Sequence, residues 1–149
     1  MAFTHYRFRS EWRIDAPPDA VYGVLERTEE YPRWWPQVRE VRRLDGASGR
    51  LRFRSFLPYT LHVQGHERRH DAGARVLELG MSGDLVGYAR FTVHANGRGS
   101  RALFEQEVEV TPRLMRWLAL PGRPLFVANH AWMMRGGQRG LRRLLEERV

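Results

Sequence analysis

The chain contains no cysteine and no lysine, and all 25 of its basic residues are arginine. The first absence excludes disulfides and thiolate metal sites and removes any argument for an oxidising compartment. The second shapes the meaning of the formal charge of +8. Such a charge ordinarily raises nucleic acid as a partner, because phosphate contacts supply most non-specific affinity for DNA. Here, however, the arginines are spread along the chain, apart from the pairs Arg42-Arg43, Arg68-Arg69 and Arg142-Arg143, and an all-arginine bias is explained by a GC-rich coding genome. Nucleic acid is therefore not the expected partner, whereas an anionic surface or an acidic protein stays open.

No apolar run approaches the ~20 residues of a membrane span, and the opening MAFTHYRFRSEW lacks the apolar core of a signal peptide, so a cytoplasmic protein is expected. The histidines show no HExxH spacing and no convergent carboxylates, so no metal is expected. There is no GxSxG, and Ser10, Ser55, Ser82 and Ser100 have no evident base partner. The run GGQRG at 136–140 lies inside a helical pattern, without the strand-turn-helix context or lysine of a phosphate loop. No cofactor is implied. At 149 residues, 1–149 reads as one domain with room for a core and an internal pocket.

What is present is organised around Ala16 to Val41, APPDAVYGVLERTEEYPRWWPQVREV. Pro17 and Pro18 open a helix where amides have no intrahelical partner to lose, and Asp19 sits near the positive end of its dipole. Ala20, Val21, Val24 and Leu25 recur at helical spacing. Pro32 and Pro36 then bracket Trp34 and Trp35, with Tyr31 just before, giving a tight aromatic turn that can close a cavity as a gate or plug a core.

Tyr6, Phe8, Ser10, Trp12 and Ile14 alternate with charged residues, the mark of a strand covered on one side. Six further strand-like runs follow: Val38–Leu44, Arg50–Phe56, Thr60–Arg69, Arg75–Met81, Leu85–His94 and Arg101–Val110. Turn signals separate them, at 45–49, Leu57-Pro58, 71–73, 82–84 and 96–99. Pro112–Leu118 reads as a short helix. A long one follows from about Pro124 to Glu147, with Phe126, His130, Met133, Gly137, Leu141 and Leu144 on its apolar stripe. A curved seven-stranded antiparallel sheet wrapped around that helix, with short helices after strand 1, is the economical α+β arrangement.

Three segments in this order carry a resemblance: residues 14–38, 83–112 and 114–145. Together they are similar to the helix-grip superfamily of START-like and Bet v 1-like domains, in particular its bacterial polyketide cyclase/dehydrase-like branch. The resemblance implies a cavity between the concave sheet and the long helix, and a small hydrophobic ligand such as a lipid, a quinone or a polyketide-like compound. A minority of that superfamily catalyses cyclisation or aromatisation.

Alternation then nominates the lining. Phe104 and Gln106 point inward on the last strand, with Gln106 the odd polar member. Gly87, Ala89 and Phe91 point inward on the strand before it, opposite Tyr88, Arg90, Thr92 and His94. Phe53 is the inward residue between Arg52 and Arg54. From the long helix come His130, Met133 and Gly137, with Asn129 beside His130. Gly136, Gly137 and Gly140 each cost the helix about 1 kcal/mol relative to alanine, and either leave room for a ligand or allow close approach of the helix to the sheet or clamp. His62 and His66 share a face with Thr60, Gln64 and Arg68 that reads as outer, although a register shifted by one would turn them into the cavity, while His5, His70 and His94 fall at strand ends or turns. Trp12, Trp117 and Trp132 read as core.

Two functions follow. One is binding, with Tyr31, Trp34 and Trp35 as the gate. The other is aromatase/cyclase chemistry using His130, Gln106 and Tyr88 or Ser10. In the cyclase branch an inward arginine can orient polyketide carbonyls, whereas the strand arginines here alternate outward, which favours binding. A third reading is a surface-acting, chaperone-like protein using the basic outer face.

Overall fold

The computed structural model describes residues 5–54, 60–110 and 123–146. Strand β1 (His5–Ile14) leads into α1 (Pro18–Leu25), a 3-10 turn (Thr28–Glu30) and α2 (Tyr31–Trp34). Then come β2 (Val38–Arg43), β3 (Ser48–Arg54), β4 (Thr60–Asp71), β5 (Val76–Gly83), β6 (Leu85–Asn96), β7 (Gly99–Val110) and the long helix α3 (Arg123–Glu146). The expected break at Leu57-Pro58, the short helix at Pro112–Leu118, Ser55, Trp117 and the side chain of Phe126 lie outside the described residues.

All seven strands are antiparallel, in the order β1-β7-β6-β5-β4-β3-β2. The sheet and α3 thus form the expected helix-grip arrangement. Its hairpins are set by turn chemistry. The Asp45 carboxylate accepts the amides of Ala47 and Ser48, both at 2.8 Å, and Asp71 accepts that of Ala74 at 3.0 Å. Register shifts in β2 between Val38 and Glu40, and in β4 between Glu67 and Arg69, supply the bends that let one sheet curl.

The first and last strands of the sheet order are consecutive in sequence, so α1, the 3-10 turn and α2 must cross the mouth between the two edges. Helix α1 does so by burying Val21, Tyr22, Val24 and Leu25. Ala20, expected on this face, is exposed, and Tyr22 takes its place with its hydroxyl donating to the Val76 carbonyl at 3.3 Å. At the helix end His70 stands between Glu26 and Glu67, both at 2.9 Å, tying α1 to β4, and the bond to Glu26 holds its pKa above the ordinary value.

The aromatic turn then packs against α3. Trp12, Trp34, Trp35 and Tyr31 form one cluster, with Trp12 edge-on to Trp34 and Trp35 at 6.4 and 5.3 Å. The Trp35 indole donates to the Met133 carbonyl at 2.8 Å. The three helix glycines belong to this contact. A Cβ at Gly137 would lie 2.6 Å from Trp12 and 2.7 Å from Trp35, one at Gly136 would fall on the Gln37 amide, and one at Gly140 on the Trp34 carbonyl oxygen. Close approach of helix to clamp, rather than space for a ligand, accounts for them.

Gly140→Ala therefore destabilises by roughly 2–3 kcal/mol in spite of alanine's higher helix propensity, because a backbone carbonyl cannot move aside. Gly23→Ala, on α1 with nothing within 4 Å of the added methyl, stabilises by about 0.5–1 kcal/mol. Paired denaturant titrations measure both.

Candidate functional site

The apolar side chains inside the sheet form two clusters. One gathers Trp12, Tyr31, Trp35, Leu77, Phe91, Phe104 and Met134 at the clamp end, and the other holds Tyr6, Leu61, Val63, Met81, Leu85 and Val108 at the opposite end. Phe53 and Ala89 touch both clusters and are only partly buried. Between the clusters lies a cavity of about 110 Å³, walled by members of each. For scale, an apolar cavity of roughly 150 Å³ admits benzene and stays free of water.

Of the residues nominated from the sequence, Phe53, Ala89, Phe91, Phe104, Gln106, His130 and Met133 meet at this cavity. Gly87 and Gly137 do not. Gly87 (φ +154°) lies where a Cβ would fall on the Glu107 carbonyl, so it is required by the approach of β6 to β7. Gly137 is covered by tryptophan rings. Tyr88 is on the convex face, with the guanidinium groups of Arg68 and Arg90 at 5.5 and 5.1 Å from its ring, which removes it from any cavity chemistry. Ser10 lies on the concave side of β1 but is not among the lining residues.

The aromatic turn divides. Tyr31 and Trp35 wall the cavity, whereas Trp34 faces a groove on the other side of the clamp. Tyr31 donates to the Leu25 carbonyl at 2.6 Å, and burial raises its pKa, so its hydroxyl stays protonated. With Trp35 bonded to α3, both rings are held as walls of the cavity.

Alternation on β3 to β5 also carried lining residues that were not singled out. Leu51 shares the parity of Phe53, and Leu77, Leu79 and Met81 occupy every second position of β5. Glu78, charged in sequence and so marking the outer face, is nonetheless buried on the convex side between Arg68 and Arg90. Thr28, Leu51, Leu77 and Leu79 also line a second, more polar bay of about 100 Å³, whose rim includes Glu26, Glu29, Arg43, Glu67 and His70.

One polar pair interrupts the apolar wall. His130 Nε2 lies 2.9 Å from Gln106 Oε1, and the Gln106 amide nitrogen donates to Met81 Sδ at 3.4 Å. This arrangement puts the imidazole proton on Nε2, leaving Nδ1 as an acceptor with no hydrogen bond among the described residues. The ring stacks on Phe8 at 3.7 Å and lies near Phe104 at 5.9 Å. Burial pushes the His130 pKa down from 6.5 to about 4, so at neutral pH it is uncharged. Beside it the Asn129 side chain is buried, with its amide 3.9 Å from Met133 Sδ. The cavity thus offers dispersion contacts, one neutral acid–base group and no arginine or carboxylate among the described lining residues.

His62 and His66 are exposed on the outer face of β4 with Gln64 and Arg68. Among the described residues no three His, Asp or Glu side chains are grouped to hold a metal. No described helix is long and apolar enough to cross a membrane.

The sequence profile of the family described as "Polyketide cyclase / dehydrase and lipid transport" matches residues 5–147. A search of curated proteins finds no match. Among solved structures, the chain is similar to the Zhui aromatase/cyclase from Streptomyces sp. R1128, with a TM-score of 0.77 at 13% identity over 97% of this chain and 96% of that one. It is similar to a START superfamily protein from Mycobacterium smegmatis, with 0.73 at 15% over 98% and 99%. It also resembles TTHA0849 from Thermus thermophilus, with 0.72 at 20% over 91% and 97%. At these identities the likeness is one of fold.

A neutral buried histidine binds fewer protons than its unfolded counterpart, so its burial costs stability as pH falls from ~6.5 towards ~4. Relative to His130→Gln, the protein is expected to lose up to about 3 kcal/mol across that window and nothing above it. Urea titrations at several pH values, with an NMR titration of the His130 ring, check this.

Proposed function

Because the chain belongs to the polyketide cyclase/dehydrase and lipid transport family, we propose that it binds a small, largely apolar molecule in the cavity between the sheet and α3. The observation that carries this reading is the wall itself, which is mostly apolar: the Tyr31 hydroxyl and Trp35 indole are bonded to backbone carbonyls, and beyond Thr28 and Asn129 the remaining polar side chains among the described residues are the mutually bonded His130 and Gln106. Binding in such a site rests on shape and desolvation, and the one polar pair orients a carbonyl or hydroxyl of the ligand. At about 110 Å³ the cavity matches one aromatic ring or a short chain. Met81, Met133 and Met134 line it, and unbranched thioether side chains can rearrange around something larger, such as a lipid, quinone or polyketide-like compound.

A second reading, an aromatase/cyclase, is favoured by one specific feature. His130 is neutral and has Nδ1 available, so it can take a proton next to a bound carbonyl, with Gln106 fixing its tautomer. Tyr88 and Ser10 drop out of this reading by position, which leaves it a single acid–base group and no lining cation, among the described residues, to stabilise an enolate. Binding is therefore the better supported of the two.

Extraction and native mass spectrometry of the purified protein are expected to reveal an apolar molecule, and titration with the apolar fluorophore N-phenyl-1-naphthylamine to saturate at one site. Ala89→Leu, which fills the cavity from β6, lowers that affinity at least about tenfold without lowering stability. Absence of saturable binding by the unaltered protein would sink the proposal. His130→Ala leaving affinity within a few fold while abolishing conversion of a polyketide-like substrate would decide for the enzyme.

A further inference from the structure

On the far side of the clamp from the cavity, α2 and α3 enclose an open groove of about 790 Å³. Its charge is one-sided. Arg33 comes from α2 and Arg139 and Arg143 from successive turns of α3, and no acidic residue lines it among those described. Arg139 and Arg143 are exposed and make no ion pair among the described residues, while Arg33 reaches Glu30 only at 3.5 Å from a side chain that is 80% exposed. By contrast, arginines of the outer sheet face such as Arg7, Arg52, Arg68, Arg90 and Arg101 are paired with carboxylates.

Arginines near a helix C-terminus also complement the helix dipole, and that alone would explain their presence. It does not explain what lies beneath them. The Trp34 indole N–H and the Gln37 side-chain oxygen are buried without a hydrogen-bond partner, and both side chains, only 6% and 7% exposed, line this groove. The described residues leave no other buried side-chain nitrogen or oxygen unpartnered. Leaving such a group unpaired is costly, so an unpartnered pair beneath three arginines calls for a partner.

We propose that this groove is a second binding site, for a soluble phosphate ester that also carries a hydroxyl. Phosphate oxygens suit the planar forks of three arginines and can accept from an indole N–H, while a neighbouring hydroxyl that reaches the floor of the groove supplies the donor that the Gln37 oxygen, packed there against Gly136, lacks. The site is recessed between two helices, which suits a small soluble ester rather than a flat membrane surface. It is independent of the apolar cavity, whose described lining has no cation.

The test follows the Trp34 indole N–H in ¹H–¹⁵N spectra, assigned with Trp34→Phe, during titration with glycerol 3-phosphate, inorganic phosphate and sulfate at constant ionic strength. Saturable movement of that signal, strongest with glycerol 3-phosphate, is expected. Arg139→Gln and Arg143→Gln, both at exposed positions and checked for unchanged melting, are each expected to weaken binding about tenfold or more. The proposal is overturned by no saturable response, by one that survives both substitutions, or by an equal response to all three anions, which would mean an adventitious ion only. Binding confined to phosphatidic acid vesicles would overturn it in favour of a membrane. An indole proton exchanging with solvent unaffected by any ester would assign the two buried atoms to water.

Discussion

The docking of a glycine-notched helix onto a tryptophan clamp is the contact on which the rest of the molecule depends. Helix α3 lies across the open concavity of a curled sheet, and the clamp ties it to both sheet edges. Trp12 comes from edge strand β1, and Trp34 and Trp35 stand at the entrance to edge strand β2. Gly136, Gly137 and Gly140 bring the helix backbone so close that side-chain amide, indole rings and a backbone carbonyl occupy the space of their missing side chains. The bond from the Trp35 indole to the Met133 carbonyl fixes the axial position of the helix within this contact. The helix stability lost at three glycines is offset by burial of four large aromatic side chains, each with an apolar surface worth several kcal/mol.

That contact also determines the cavity. With α3 pinned at its glycine half, its other half carries His130, Met133 and Met134 over the sheet, where the two apolar clusters fail to merge. Ala89 is too small to bridge them, and Phe53 reaches both without filling the gap. The same geometry explains the state of His130. Its half-buried ring is held between Phe8 and Gln106 within an apolar wall, so a group that would titrate near neutrality stays uncharged. A neutral imidazole in an apolar chamber suits recognition of an uncharged polar atom on an apolar ligand better than capture of an anion.

The charged residues work on the opposite surfaces. On the convex face Glu78 accepts from Arg68 and Arg90 at 3.1 and 2.8 Å, and those two arginines enclose Tyr88. Pairs of this kind engage about half of the strand arginines, among them Arg7, Arg52, Arg68, Arg90 and Arg101, with carboxylates. Net positive charge is thereby left where carboxylates are scarce, including the groove between α2 and α3.

Among the described residues, local chemistry was enough to read the strands and the order of elements, because alternation and Pro-initiated helices act within a few residues, whereas the face taken by His62 and His66 depended on the register of β4. It also brought Phe53, Phe91, Phe104, Gln106 and His130 into one site, since parity along a strand and spacing along a helix decide which way a side chain points. What sequence left open were questions of distance between elements far apart in the chain. Gly87 and Gly137 have the parity of cavity residues, yet one is occupied by the Glu107 carbonyl and the other by tryptophan rings, and no local pattern records such neighbours. Trp34 and Trp35 are adjacent in the chain and equal in composition, but only packing sends one into the cavity wall and the other to an outer groove. By itself, the sequence determined which faces are apolar; the tertiary structure alone decided which apolar faces touch and which leave space, because the gap depends on how closely backbones approach.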